Sequence, residues 1–125
     1  SRWSRRTGIA VKVAGSDSMD CLGNHQTIPV LRIVQEALTN VVRHGVNVDT
    51  VNISVSLTGS TVSISIIDNG KEAMNPQATS GLGMESMLGR AKSLGGAMTA
   101  MATAAGFEVK IDLPRNRTLD RQFAE

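Results

Sequence analysis

Two stretches of this chain, Val51-Asn52-Ile53-Ser54-Val55-Ser56-Leu57 and Val62-Ser63-Ile64-Ser65-Ile66, alternate strictly between apolar and polar side chains. A period of two puts every apolar residue on one face of a strand, so each stretch can fold only as a strand with one side buried. Thr58 to Thr61, with Gly59 among them, is short enough to close the pair into an antiparallel hairpin. The apolar face of that hairpin needs a covering layer. Its Ser and Asn face is polar enough to meet water, so helices are expected on one side only.

The rest of the chain supplies that layer. From Ile28 the period changes to that of a helix and holds to about His44, with Pro29 near the first turn, where its missing N–H does no harm, and Gly45 as a stop. A second helix is predicted from Met84 to Leu94, ending at Gly95-Gly96, where a left-handed cap is wanted. Gly8 to Val13 alternates like a strand, and Ala97 to Thr103 and Phe107 to Leu113 read as strands joined at Ala104 to Gly106. Ala14 to Thr27 is polar, rich in turn formers and aperiodic, and is expected to be a loop. Lys71 to Ser80, which contains Pro76, reads as a mobile loop, and Arg115 to Glu125 as a frayed end.

At 125 residues the chain is the size of one domain with one core. No window approaches the roughly 18 uninterrupted apolar residues of a membrane span, and the start shows no signal-peptide pattern. The single Cys21 cannot form an internal disulfide, which fits a reducing compartment, and a cytoplasmic location is expected. Net charge is +2, and the basic clusters at Arg2, Arg5 and Arg6 and at Arg115, Arg117 and Arg121 read as solvated ends. Nucleic-acid binding is disfavoured, because a base-stacking surface wants exposed aromatics and the only ones here are Trp3, Phe107 and Phe123.

Three segments carry candidate chemistry. Within Gln35 to Gly45 (QEALTNVVRHG), residues three and four apart on a helix are neighbours, so Glu36, Asn40 and Arg43 share a polar stripe. A carboxylate, an amide and a guanidinium in line suit a metal-bound polyphosphate; a solvent-facing stripe with an Arg32–Glu36 ion pair is the plainer alternative. Asp68-Asn69-Gly70 ends the second hairpin strand. It reads as a turn, or as an acid that accepts a hydrogen bond from an adenine amine beside a glycine that lets the ring approach the backbone. Gly81-Leu82-Gly83 stands before a helix, where backbone N–H groups could hold phosphate or the glycines could act as a hinge.

Taken in order, these segments resemble the N box and the two glycine boxes of the ATP-binding domain of sensor histidine kinases, within the gyrase, chaperone, histidine kinase and mismatch-repair ATPase superfamily. The QEALTN wording is most similar to the subfamily that includes the nitrate-sensing kinases. The resemblance implies a Bergerat-type two-layer α+β sandwich with a mixed, mostly antiparallel sheet. Residues 1–6 would end a linker from missing dimerisation helices, 7–114 would form the ATP-binding domain and 115–125 a tail. It also implies ATP and Mg²⁺ as cofactors. Asn40 would be the metal ligand, with Glu36 near the metal's waters or acting as general base. Arg43 would touch phosphate, Asp68 and Gly70 would receive adenine, and Gly81, Leu82, Gly83 and Met84 would form the phosphate loop. The γ-phosphoryl would pass to a histidine on those helices, and a response regulator would be the downstream partner. Neither His25 nor His44 sits in an acceptor context, so the isolated domain is expected to bind Mg·ATP and phosphorylate nothing alone, and, since dimerisation in this family resides largely in the missing helices, to be a monomer.

The chain departs from the family pattern at three places. Glu72 replaces the second glycine of the first glycine box, Leu88-Gly89 replaces an Arg-Glu pair, and Gly106-Phe107 replaces the Gly-Thr that opens the last strand, removing a hydroxyl that helps fix adenine through water. Two rival readings therefore stand beside the kinase: an anti-sigma-factor serine kinase, and a degenerate module that uses the fold for protein contacts.

Overall fold

A computed structural model describes residues 2–44, 47–70, 84–104 and 106–115. The order of elements is α1 (Arg2–Thr7), β1 (Ala10–Ala14), a 3₁₀ helix (Ser16–Cys21), α2 (Asn24–His44), β2 (Thr50–Thr58), β3 (Thr61–Asp68), α3 (Met84–Ser93), β4 (Ala97–Thr103) and β5 (Gly106–Pro114). The five strands form one sheet in the order β1-β2-β3-β5-β4. β1 runs parallel to β2, and every other pairing is antiparallel. The fold is thus α+β with a mixed sheet, as the alternation and the resemblance imply.

The hairpin forms as the period requires. Val51, Ile53 and Val55 of β2 and Val62, Ile64 and Ile66 of β3 are buried, and they meet Val30, Ile33, Ala37 and Val41 of α2 and Met87 and Ala91 of α3 in one core. Burying a side chain of this kind contributes about 1.5–3 kcal/mol, which is what holds two helices on a five-stranded sheet. On the opposite face the serines of β3 find partners on β5: Ser63 donates to Asp112 at 2.5 Å and Ser65 to Glu108 at 3.0 Å.

The segment expected to be a loop at 14–27 is more ordered than its polarity suggests. It holds the 3₁₀ helix, and α2 starts at Asn24, four residues before the apolar period begins. The cause is a pair of side-chain bonds to the backbone of Gly23. Gln26 Oε1 accepts the Gly23 N–H at 2.9 Å, and Thr27 Oγ1 donates to the Gly23 carbonyl at 3.0 Å, so the first turn closes without apolar help. Gln26, only 3% exposed, also donates through Nε2 to the Pro114 carbonyl, tying the start of α2 to the end of β5. Pro29 consequently lies in the second turn of α2, not the first.

The stop of α3 follows its glycines. Gly95 takes φ 77, its N–H bonds the Lys92 carbonyl, and the Gly96 N–H bonds that of Ala91, which is the Schellman pattern.

Candidate functional site

Asn40 and Asp68 are distant in sequence and adjacent in the fold. Asn40 projects from the buried face of α2 and is 7% exposed; Asp68 ends β3 and is 4% exposed. With Ala37, Val41, Ile66, Phe107 and Val109 they line one crevice between α2, β3 and β5. Its free volume is about 10 Å³, room for roughly one water.

The local geometry of Asp68 combines both sequence readings. The Gly70 N–H donates to Asp68 Oδ1 at 2.9 Å, an Asx turn that fixes the carboxylate where the strand ends. No second hydrogen bond to the Asp68 carboxylate is made among the described residues, and the residue lines the crevice. Asn69 takes a structural part that the sequence did not reveal. Its Oδ1 accepts the N–H groups of Asp49 and Thr50 at 2.9 and 3.0 Å, and its own N–H bonds the Thr50 carbonyl, locking the end of β3 to the start of β2.

Glu36 lies one turn before Asn40 and is about a third exposed; its carboxylate pairs with Arg90 of α3 at 3.8 Å, and not with Arg32. A pair so long and so wet is worth about 0–1 kcal/mol, which leaves Glu36 available for other work. Arg43 is exposed and lines a separate cleft with Arg6, Thr7, Ile9, Thr39 and Val42. At about 100° per residue Arg43 stands about 60° round α2 from Asn40, so the two remain neighbours on one stripe while Arg43 also borders this second cleft. Gly81, Leu82 and Gly83 lie outside the described residues, as do Glu72 and the whole segment from Lys71 to Ser80 that the sequence reads as a mobile loop; Met84 opens α3.

Among the described residues no group of three or more His, Cys, Asp or Glu side chains could hold a metal. The donors at hand are the amide oxygen of Asn40 and the carboxylate of Glu36. Such a set fits a hard cation that keeps waters and takes its remaining oxygens from phosphate, as Mg²⁺ does. Chemically, the crevice can offer an acceptor to an amine at its Asp68 end and a hard oxygen at its Asn40 end.

Phe107 is the wall that composition alone does not place. It stands directly across from Asp68 in the β3–β5 register and is 6% exposed. The resemblance already sets it beside the adenine position, where it replaces a threonine, and the glycine before it is required by the packing: a Cβ at Gly106 would lie 1.9 Å from the Asp68 carbonyl oxygen, so that position admits no side chain. Both residues therefore hold β5 tightly against the acid.

Known proteins agree with this architecture. The sensor histidine kinases LnrJ and LiaS of Bacillus subtilis (strain 168) are 39% identical over 84 residues and 33% identical over 87. Those matches take in 67% and 68% of this chain but only 20% and 24% of the two relatives, so the chain spans about a quarter of their length or less. A blue-light activated histidine kinase of Erythrobacter litoralis superposes with a TM-score of 0.73 at 20% identity, over 90% of this chain and 37% of that one. The ATP binding domain of PrrB from Mycobacterium tuberculosis gives 0.59 at 24% identity, over 71% and 68% of the two chains. These structures share the fold. The histidine kinase-like ATPase domain model matches residues 5–106, which takes in the α2 and β3 walls of the crevice and ends just before Phe107, and the chain belongs to that family.

Proposed function

We propose that this chain is the catalytic ATP-binding domain of a two-component sensor histidine kinase, binding Mg·ATP and donating the γ-phosphoryl to a histidine carried on separate dimerisation helices. The observation that carries the reading is the meeting of buried Asn40 and buried Asp68 on the walls of one crevice. An adenine amine directed at Asp68 gains a charge-assisted hydrogen bond, whereas guanine presents a carbonyl there and leaves the acid unpaired, at a cost of about 1–3 kcal/mol or more. Asn40 and Glu36 would hold Mg²⁺ and its waters, and the ion would neutralise charge developing on the β- and γ-phosphates.

In the transfer itself an imidazole nitrogen of the acceptor forms the new N–P bond, the bond between the γ-phosphorus and the β–γ bridging oxygen breaks, and ADP departs with that oxygen. The chain's residues bind and orient, which is most of what such a reaction needs. Glu36, on the same stripe as Asn40 and only loosely tied to Arg90, would accept a hydrogen bond from the other ring N–H of the attacking imidazole and, as general base, its proton. Arg43, exposed and three residues beyond Asn40 on the same stripe, would contact phosphate. The phosphate loop is assigned to Gly81, Leu82, Gly83 and Met84 by resemblance. The N-box wording favours a nitrate-sensor-like parent, with a cytoplasmic catalytic domain and a response regulator downstream.

Calorimetric titration of the domain with Mg·ATP tests the proposal. Heat of binding at sub-millimolar to millimolar nucleotide is expected; a silent titration at millimolar nucleotide would leave the chain a contact module. Adding the separately expressed acceptor helices and measuring phosphohistidine then tests transfer, which should appear only with both parts present.

A further inference from the structure

We propose that Phe107 sets the size of the base end of the crevice, its ring occupying space that a purine must take to reach Asp68; the inference rests on the nucleotide reading above. Directly paired residues on antiparallel strands project from the same face with Cβ atoms about 5 Å apart, and Asp68 and Phe107 are such a pair. Both are almost fully buried, and both line the crevice with Asn40. The remaining volume of about 10 Å³ admits roughly a water and not a fused ring system.

The ring cannot withdraw with its strand. Gly106 already presses on the Asp68 carbonyl so closely that a Cβ there would sit 1.9 Å from the oxygen, and β5 is held on one side by β3 and on the other by β4. Room for a base therefore comes from the side-chain torsions of Phe107, whose strand position accepts two χ1 states. The ring offers no hydrogen bond to a base edge, so its contribution at this point is excluded volume. The work of displacing it falls on the base alone, and is the same whether one, two, three or no phosphates follow.

Wild type, Phe107→Val, Phe107→Leu and Phe107→Trp domains are titrated by calorimetry with adenosine, Mg·ADP and Mg·ATP, each variant's fold being checked by thermal melting. Phe107→Val is expected to tighten all three ligands about tenfold, Phe107→Leu to tighten them by less, and Phe107→Trp to weaken them. If the valine variant does not fold, the order leucine, wild type, tryptophan carries the same test. Unchanged affinities overturn the role of Phe107. Weaker binding in the valine and leucine variants also overturns it, since the ring would then be a contact surface and not an obstacle. A gain confined to Mg·ATP overturns it too, by placing the ring at the phosphate end. Wild type and every variant failing to bind any of the three ligands would sink the nucleotide reading itself, whereas a wild type that binds with no response to these changes sinks only this inference.

Discussion

Asp68 joins a part in the fold to the adenine-binding part proposed for it. Its Oδ1 closes the turn to Gly70, and an asparagine there would keep that acceptor while turning an N–H₂ toward the crevice. Asp68→Asn is therefore expected to melt within about a degree or two of wild type yet to lose about 10- to 100-fold in affinity for Mg·ATP, the worth of one charge-assisted hydrogen bond. Calorimetry beside a thermal melt checks both halves. Gly106 is the opposite case, a residue with no polar role whose substitution should be costly. Alanine would drive a Cβ into the Asp68 carbonyl at 1.9 Å, and Gly106→Ala is expected to lower stability by about 3 kcal/mol and the melting temperature by about 10 °C. Asp68 was legible in the sequence because a strand ending in Asp-Asn-Gly announces a turn. The clamp made by Asn69 was not, because its partners Asp49 and Thr50 lie across the hairpin.

At the scale of elements, α2 and α3 differ in what their sequences disclose. The body of α2 follows its apolar period, but its first turn rests on Gln26, and a single buried amide leaves no periodic trace. Gln26→Ala removes both the cap on Gly23 and the tie to Pro114, and should cost about 1–3 kcal/mol, seen as a denaturation midpoint shifted with an unchanged slope. In α3, Gly89 departs from the family pattern and is exposed, with nothing within 4 Å of where a Cβ would stand. Gly89→Ala should then stabilise the domain by up to about 1 kcal/mol and raise the melting temperature by about 3 °C. The end of α3 was readable, since Gly95-Gly96 supplies the left-handed cap by itself. The Glu36–Arg90 contact was not, because it depends on how α2 and α3 lie side by side.

For the molecule as a whole, one core spans all the strands but the exposed edges, so a ligand held between α2, β3 and β5 should stabilise the entire domain and not one corner of it. Mg·ATP at about 100 times its dissociation constant is expected to add about 2.7 kcal/mol and to shift the melt by roughly 10 °C, with the shift growing as nucleotide is raised further. Scanning calorimetry across a nucleotide series checks this. What the sequence determined by itself is the set of layers: alternation of period two and helical spacing are local, and each stretch states which of its faces must be dry whatever its neighbours do. What only the tertiary structure decided is which residues share a space. That β5 lies between β3 and β4, that Phe107 falls opposite Asp68 and that Asn40 opens onto the same crevice all follow from strand order, register and helix rotation. Those quantities are fixed by the packing of side chains far apart in the chain, and no local pattern encodes them.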